Sequence, residues 1–167
     1  QYVLLEGEAG HQDAIMRTDS VVSTIQNEGI ILEKLSYQFA NWNRGQAENK
    51  MTQLINRYGT DIELVISNND EMALGAAAAY DALGYPQESR PVILGIDGLD
   101  SALEAVKKGY IQGTVYNDKE GQASRISGLA LSLFLGGVLP DSDFENGRYI
   151  FLPYHKVTAD NVDEFLK

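Results

Sequence analysis

The chain has 167 residues, 44% of them hydrophobic, which is enough for one well-packed domain and thin for two. Its 24 acidic and 13 basic side chains give a formal charge of −11, which repels a phosphate backbone and an anionic membrane and argues against nucleic acid as a partner. The absence of cysteine excludes disulfide scaffolds, thiolate metal sites and cysteine nucleophiles.

Short apolar runs alternate with helical patterns along the whole chain, and strands are expected near 2–6, 30–37, 62–67, 91–96, 112–116 and 148–153. The first follows Gln1 directly, with no basic start or apolar leader ahead of it, so the amino terminus is expected to be cut from something larger. Between the strands, apolar residues recur at helical spacing. They run through Ala14, Thr18, Val21, Val22 and Ile25, then Ala47, Met51, Leu54, Ile55 and Tyr58, then Met72, Ala76, Tyr80 and Leu83. Glu63-Leu64-Val65-Ile66 and Pro91-Val92-Ile93-Leu94 are continuously apolar rather than alternating, as in a parallel sheet covered on both faces. The expected class is α/β, a doubly wound parallel sheet with helices on both faces and right-handed crossovers. The apolar run around 129–139 is broken by Ser132, Gly136 and Gly137 and is too short to span a bilayer. Residues 141–147 read as a solvated loop.

In such a sheet the ligand site lies beyond the carboxyl ends of the strands. After the first strand come His11 and Asp13, with Arg17 four residues beyond Asp13 on the same helix face. These read either as an exposed ion pair with a capping histidine or as a fork of planar groups able to meet adjacent hydroxyls. After the second strand, Trp42, the only tryptophan, stands between Asn41 and Asn43 and is either a core plug or an apolar platform for a sugar ring. Asn69 and Asp70 after the third strand suit helix capping, and Gly75 with the alanines to Ala79 lets the following helix pack tightly on the sheet. Asp97 and Asn117 follow the fourth and fifth strands as turn residues or hydroxyl partners. Five successive strand ends thus carry side chains suited to hydroxyl groups.

With these residues in view, the chain resembles the periplasmic sugar-binding proteins of the galactose/glucose type from Gln1 nearly to Lys167. Asn69-Asp70-Glu71-Met72-Ala73-Leu74-Gly75-Ala76 and Gly95-Ile96-Asp97 are similar to motifs of the whole superfamily, whereas His11, Asp13, Arg17, Trp42 and Asn117 match the hexose binders. The resemblance implies that His11, Asp13, Arg17, Asn69, Asp97 and Asn117 hydrogen-bond a hexose and that Trp42 stacks on its ring. It implies a carboxyl-terminal lobe over 1–117, a segment at 118–150 belonging to an absent first lobe, and a return strand and helix over 151–167. The helix face of Ala123, Ile126, Leu129, Ala130 and Leu133 would then lack a sheet, so exposure, self-association or rearranged packing of the 118–136 helix is expected. Gln1 and Glu63 match the remnant of a calcium site. Calcium takes six to eight oxygens, so no bound ion and no other cofactor is expected in this chain, although a longer form could carry one.

The implied function is reversible carriage of galactose or glucose to the membrane subunits of an ABC importer, with a role in chemotaxis as an extension. The expected location is periplasmic or extracellular, with a lipoprotein anchor as an option for the longer form. The alternatives are the effector-binding domain of a transcription repressor of the same superfamily and the sensor domain of a sugar receptor. An enzyme ranks last, since there is no Gly-x-Gly-x-x-Gly, phosphate loop or Gly-x-Ser-x-Gly elbow.

Overall fold

The computed structural model describes residues 1–137 and 144–166. The chain divides into two compact units, Gln1–Tyr116 with Lys156–Lys167, and Asn117–His155.

Among the described residues, six strands form one sheet: β1 (Tyr2–Glu6), β2 (Lys34–Phe39), β3 (Leu64–Ser67), β4 (Val92–Leu94), β5 (Gly113–Asn117) and β6 (Tyr154–Thr158), in the order β2-β1-β3-β4-β5-β6. The pairs β1/β2, β1/β3, β3/β4 and β4/β5 are parallel. β1 lies inside the sheet and all five of its residues are buried, which is why Tyr2–Leu5 read as a continuous apolar run ahead of Glu6.

Alternation of side chains sorts the core into two layers. Tyr2, Leu4 and Ile66 pack with Val21, Val22 and Ile25 of α1 (Gln12–Asn27). Val3, Leu5, Val65 and Ile93 share the larger cluster with α2 (Arg44–Tyr58), α3 (Asp70–Ala82) and α4 (Asp100–Lys107). Helices therefore cover both faces, as the continuous apolar strands predict. Gly75 acts differently from the expectation: a Cβ there would stand 2.3 Å from the Arg44 carbonyl oxygen, so its bareness lets α3 approach α2 rather than the sheet.

Two strands lie elsewhere than the apolar runs suggest. Ile30 and Ile31 are exposed, Ile31 at 94%, and the second strand begins only at Lys34. The last strand is Tyr154–Thr158 rather than 148–153, and it is followed by a 3-10 turn at Val162–Glu164 in place of a helix.

In the second unit, α5 (Lys119–Phe134) is capped by Asp118, whose Oδ1 accepts from Gly121 N–H at 2.9 Å. No residue of α5 is buried. Residues 144–153 contain a bridge between Glu145 and Tyr149, with the Tyr149 and Phe151 rings 5.9 Å apart. Positions 141–143 of the expected loop, and the end of the apolar run past Gly137, lie outside the described residues. Among the described residues, no helix is long and apolar enough to cross a membrane.

Candidate functional site

The carboxyl ends of β1, β2, β3 and the β4 extension bring four of the expected residues into one contiguous array. His11 is the N-cap of α1, with Nδ1 accepting from Asp13 N–H at 3.2 Å. A ring nitrogen that accepts leaves Nε2 as the donor of the neutral imidazole. The His11 ring meets Trp42 edge-on, centroids 5.3 Å apart at 77°. The Arg17 guanidinium lies 5.7 Å from the centre of the Trp42 ring, within cation–π range. Arg17 Nη1 also donates to Asp97 Oδ1 at 3.1 Å and to the Asn68 carbonyl at 2.8 Å.

The backbone is bent to present these groups. Trp42 has φ 60°, its neighbour Asn41 φ 52° and Asp97 φ 129°. Such conformations cost on the order of 1–3 kcal/mol each in a non-glycine residue and persist only where the surroundings over-determine them. For Trp42 the determinant is Gly7: a Cβ on it would come within 2.2 Å of the indole ring, so the ring rests on bare backbone at the end of β1. For Asp97 the determinants are Gly98, where a Cβ would strike Tyr116 at 2.4 Å, and the bridge pairing Asp97 with Tyr116.

Behind Asp97, the fully buried Asp70 carboxylate accepts from Thr114 Oγ1 at 2.6 Å and from Leu99 N–H at 2.9 Å, while Asp70 N–H donates to the Ile96 carbonyl at 2.8 Å. Burial pushes the Asp70 pKa up against those hydrogen bonds. Burial likewise raises Asp97, with the Arg17 guanidinium pulling the other way.

The remaining expected residues are placed as follows. Asn69 caps α3, its Oδ1 accepting from Met72 N–H at 3.0 Å, and it is buried. Asp13 stands exposed in the first turn of α1 and does not pair with Arg17, whose charge is taken by Asp97 instead. Asn117 opens the second unit and accepts from Gln122 Nε2. There, a groove of about 300 Å³ is lined by Asn117, Arg125, Phe151 and Tyr154 among others. Gln1 and Glu63 lie at the opposite, amino-terminal ends of β1 and β3. The Gln1 ammonium pairs with the Glu63 carboxylate, and Gln1 Nε2 donates to Glu33 at 3.0 Å. Among the described residues no group of three or more metal-ligating side chains forms, so these residues alone do not fit a calcium ion.

Sequence reading passed over Glu6, Gly7, Thr18 and Asn68, which are hydrogen-bonded together beneath the array. The only signal was the doubled asparagine after β3, one member more than a helix cap requires.

The array offers an aromatic face, a guanidinium, a carboxylate and an imidazole, the set that meets a polyhydroxylated ring. The profile of the periplasmic binding protein domain matches residues 1–137. The chain belongs to the periplasmic binding protein family. This family member is 38% identical, over 100% of its length, to half of the D-galactose/methyl-galactoside binding periplasmic protein of Haemophilus influenzae. It is 32% identical over 96% of its length to a xylitol-binding protein of Mycolicibacterium smegmatis, covering 43% of that protein. A crystal structure of an ABC transporter solute binding protein from Bacillus halodurans with bound myo-inositol superposes with TM-score 0.80 and 33% identity. It covers 98% of this chain and 53% of that one. The chain spans about half the length of the curated relatives it matches.

Proposed function

We propose that this chain supplies one lobe of a carrier that binds a neutral sugar reversibly for an ABC importer, in the periplasm or outside the cell. The observation that carries the reading is the unbroken series His11, Trp42, Arg17, Asp97 at the carboxyl ends of the strands. In this reading Trp42 takes the C–H face of the ring, Arg17 and Asp97 take a pair of adjacent hydroxyls, and His11 Nε2–H donates to another. Asp13, the free amide nitrogen of Asn69, and Asn117 complete the polar set. The 118–150 segment belongs to the opposing lobe, and Gln1 with Glu63 forms part of a calcium site completed by residues beyond this chain.

Galactose or glucose is the proposed guest, supported by the relative from Haemophilus influenzae. The xylitol and myo-inositol binders among the relatives make a cyclic or open polyol the second candidate. Titration calorimetry of the full-length protein against D-galactose, D-glucose, xylitol and myo-inositol separates the two. Trp42→Ala should weaken the preferred ligand by about thirtyfold, equivalent to ~2 kcal/mol for a buried aromatic anchor. Unchanged affinity would remove Trp42 from the site and with it the proposed pocket.

A further inference from the structure

The array is seated on a single buried residue outside it. Asn68 directly follows β3, and its backbone N–H and carbonyl and both side-chain polar atoms are hydrogen-bonded. Its N–H donates to the Leu5 carbonyl at 3.0 Å and its Oδ1 accepts from Gly7 N–H at 3.1 Å. Its Nδ2 donates to Thr18 Oγ1 at 3.0 Å, and its carbonyl accepts from Arg17 Nη1 at 2.8 Å. Gly7 is the residue on which the Trp42 ring rests, and Arg17 is the residue that holds Asp97. One asparagine therefore fixes the floor under the indole and the anchor of the guanidinium.

The direction of the hydrogen bonds behind it is determined. Thr18 Oγ1 accepts a hydrogen bond from Asn68 Nδ2 and donates its own hydrogen to Glu6 Oε2, 3.2 Å away. Glu6, Thr18 and Asn68 are all buried, at 2%, 9% and 1% exposure. A buried carboxylate with no cation paired to it among the described residues is costly, and burial does push the Glu6 pKa up while the Thr18 hydroxyl holds it down. Retaining that cost beneath a surface pocket gives the Asn68 amide a fixed orientation, with its oxygen toward Gly7 and its nitrogen toward α1.

We infer that Asn68, with Thr18 and Glu6 behind it, is the positioning residue of the site, setting the Arg17–Asp97 pair and the seat of Trp42 together. This rests on the sugar-binding reading only for its affinity arm.

Thr18→Val removes the bridging hydroxyl with little change of shape. In the full-length protein without sugar, the Asp97 carboxyl pKa, followed by carbon NMR, should rise by about one unit as the guanidinium loses its alignment. Affinity for whichever of D-galactose, D-glucose, xylitol or myo-inositol the unaltered protein binds should fall about tenfold. In an Arg17→Ala background, Thr18→Val should cost clearly less affinity than in the unaltered protein, the remainder acting through the Gly7 seat of Trp42, and Thr18→Ser should restore both readouts. If Thr18→Val does not fold, Thr18→Ala carries the same expectations. An unmoved Asp97 pKa in a folded variant overturns the inference, as does an equal affinity loss in the Arg17→Ala background, which would mark a general structural role. A raised Asp97 pKa with unchanged sugar affinity supports the positioning relay and sinks the sugar-binding role of the Arg17–Asp97 pair instead.

Discussion

Gly7 and Trp42 illustrate how an aromatic ring is seated by a missing side chain. A methyl group at Gly7 would overlap the indole, and the indole, at the far end of a side chain, can move more easily than the backbone of β1. Gly7→Ala should therefore displace Trp42 rather than unfold the domain. Because Trp42 is the only tryptophan, its emission spectrum reports the displacement directly, and sugar affinity should fall with it. An unshifted spectrum with unchanged affinity would mean that the ring does not depend on that seat. At this scale the sequence was only partly legible. Spacing along a helix offered Asp13 as the partner of Arg17, but the partner is Asp97, 80 residues away, because only the sheet order brings those loops together. His11 and Asn69 do cap helices, and capping uses only one ring nitrogen and one amide oxygen, so the structural and the ligand readings of each are compatible.

At the scale of elements, Asp70 joins three of them, since one carboxylate at the start of α3 accepts from β5 through Thr114 and from the entry to α4 through Leu99. Asp70→Asn would set an amide N–H₂ against one of those two donors. The expected cost is about 1–3 kcal/mol in urea or thermal denaturation. The effect has a pH sign. Burial raises the folded-state pKa of Asp70, so the penalty of its charge is present above that raised value and disappears as pH falls toward the ordinary aspartate range. The variant lacks this titration, so the stability gap between it and the unaltered protein should widen on acidification through that window; a constant gap would count against the assignment. Element types were readable where burial was two-sided, as in β1 and β3. They were misread where apolarity and pairing part company. Ile30 and Ile31 are apolar yet exposed and unpaired, and the edge strand Tyr154–Thr158 buries only Val157, leaving little hydrophobic signal.

For the molecule as a whole, the doubly wound sheet was legible from the alternation of apolar runs and helical faces, since that pattern admits few other architectures. The second unit was less so, because a helix that buries nothing carries the same amphipathic signature as one that does. Ile126, Leu131, Leu133 and Phe134 of α5 are all exposed, at 59–86%. The chain on its own should consequently self-associate at tens of micromolar in sedimentation velocity, and Leu133→Lys with Ile126→Lys should return it to a monomer. A monomer at every concentration would argue that α5 is covered in another way. The pairing of Arg17 with Asp97 has one more consequence. It cancels the cation inside the pocket of a protein whose overall charge is −11. On the proposed sugar-binding reading, a neutral guest should arrive at a rate indifferent to ionic strength, while uronates and sugar phosphates should meet a repulsive field with Arg17 already paired. On that reading the site would sort its visitors by charge before any hydroxyl is read.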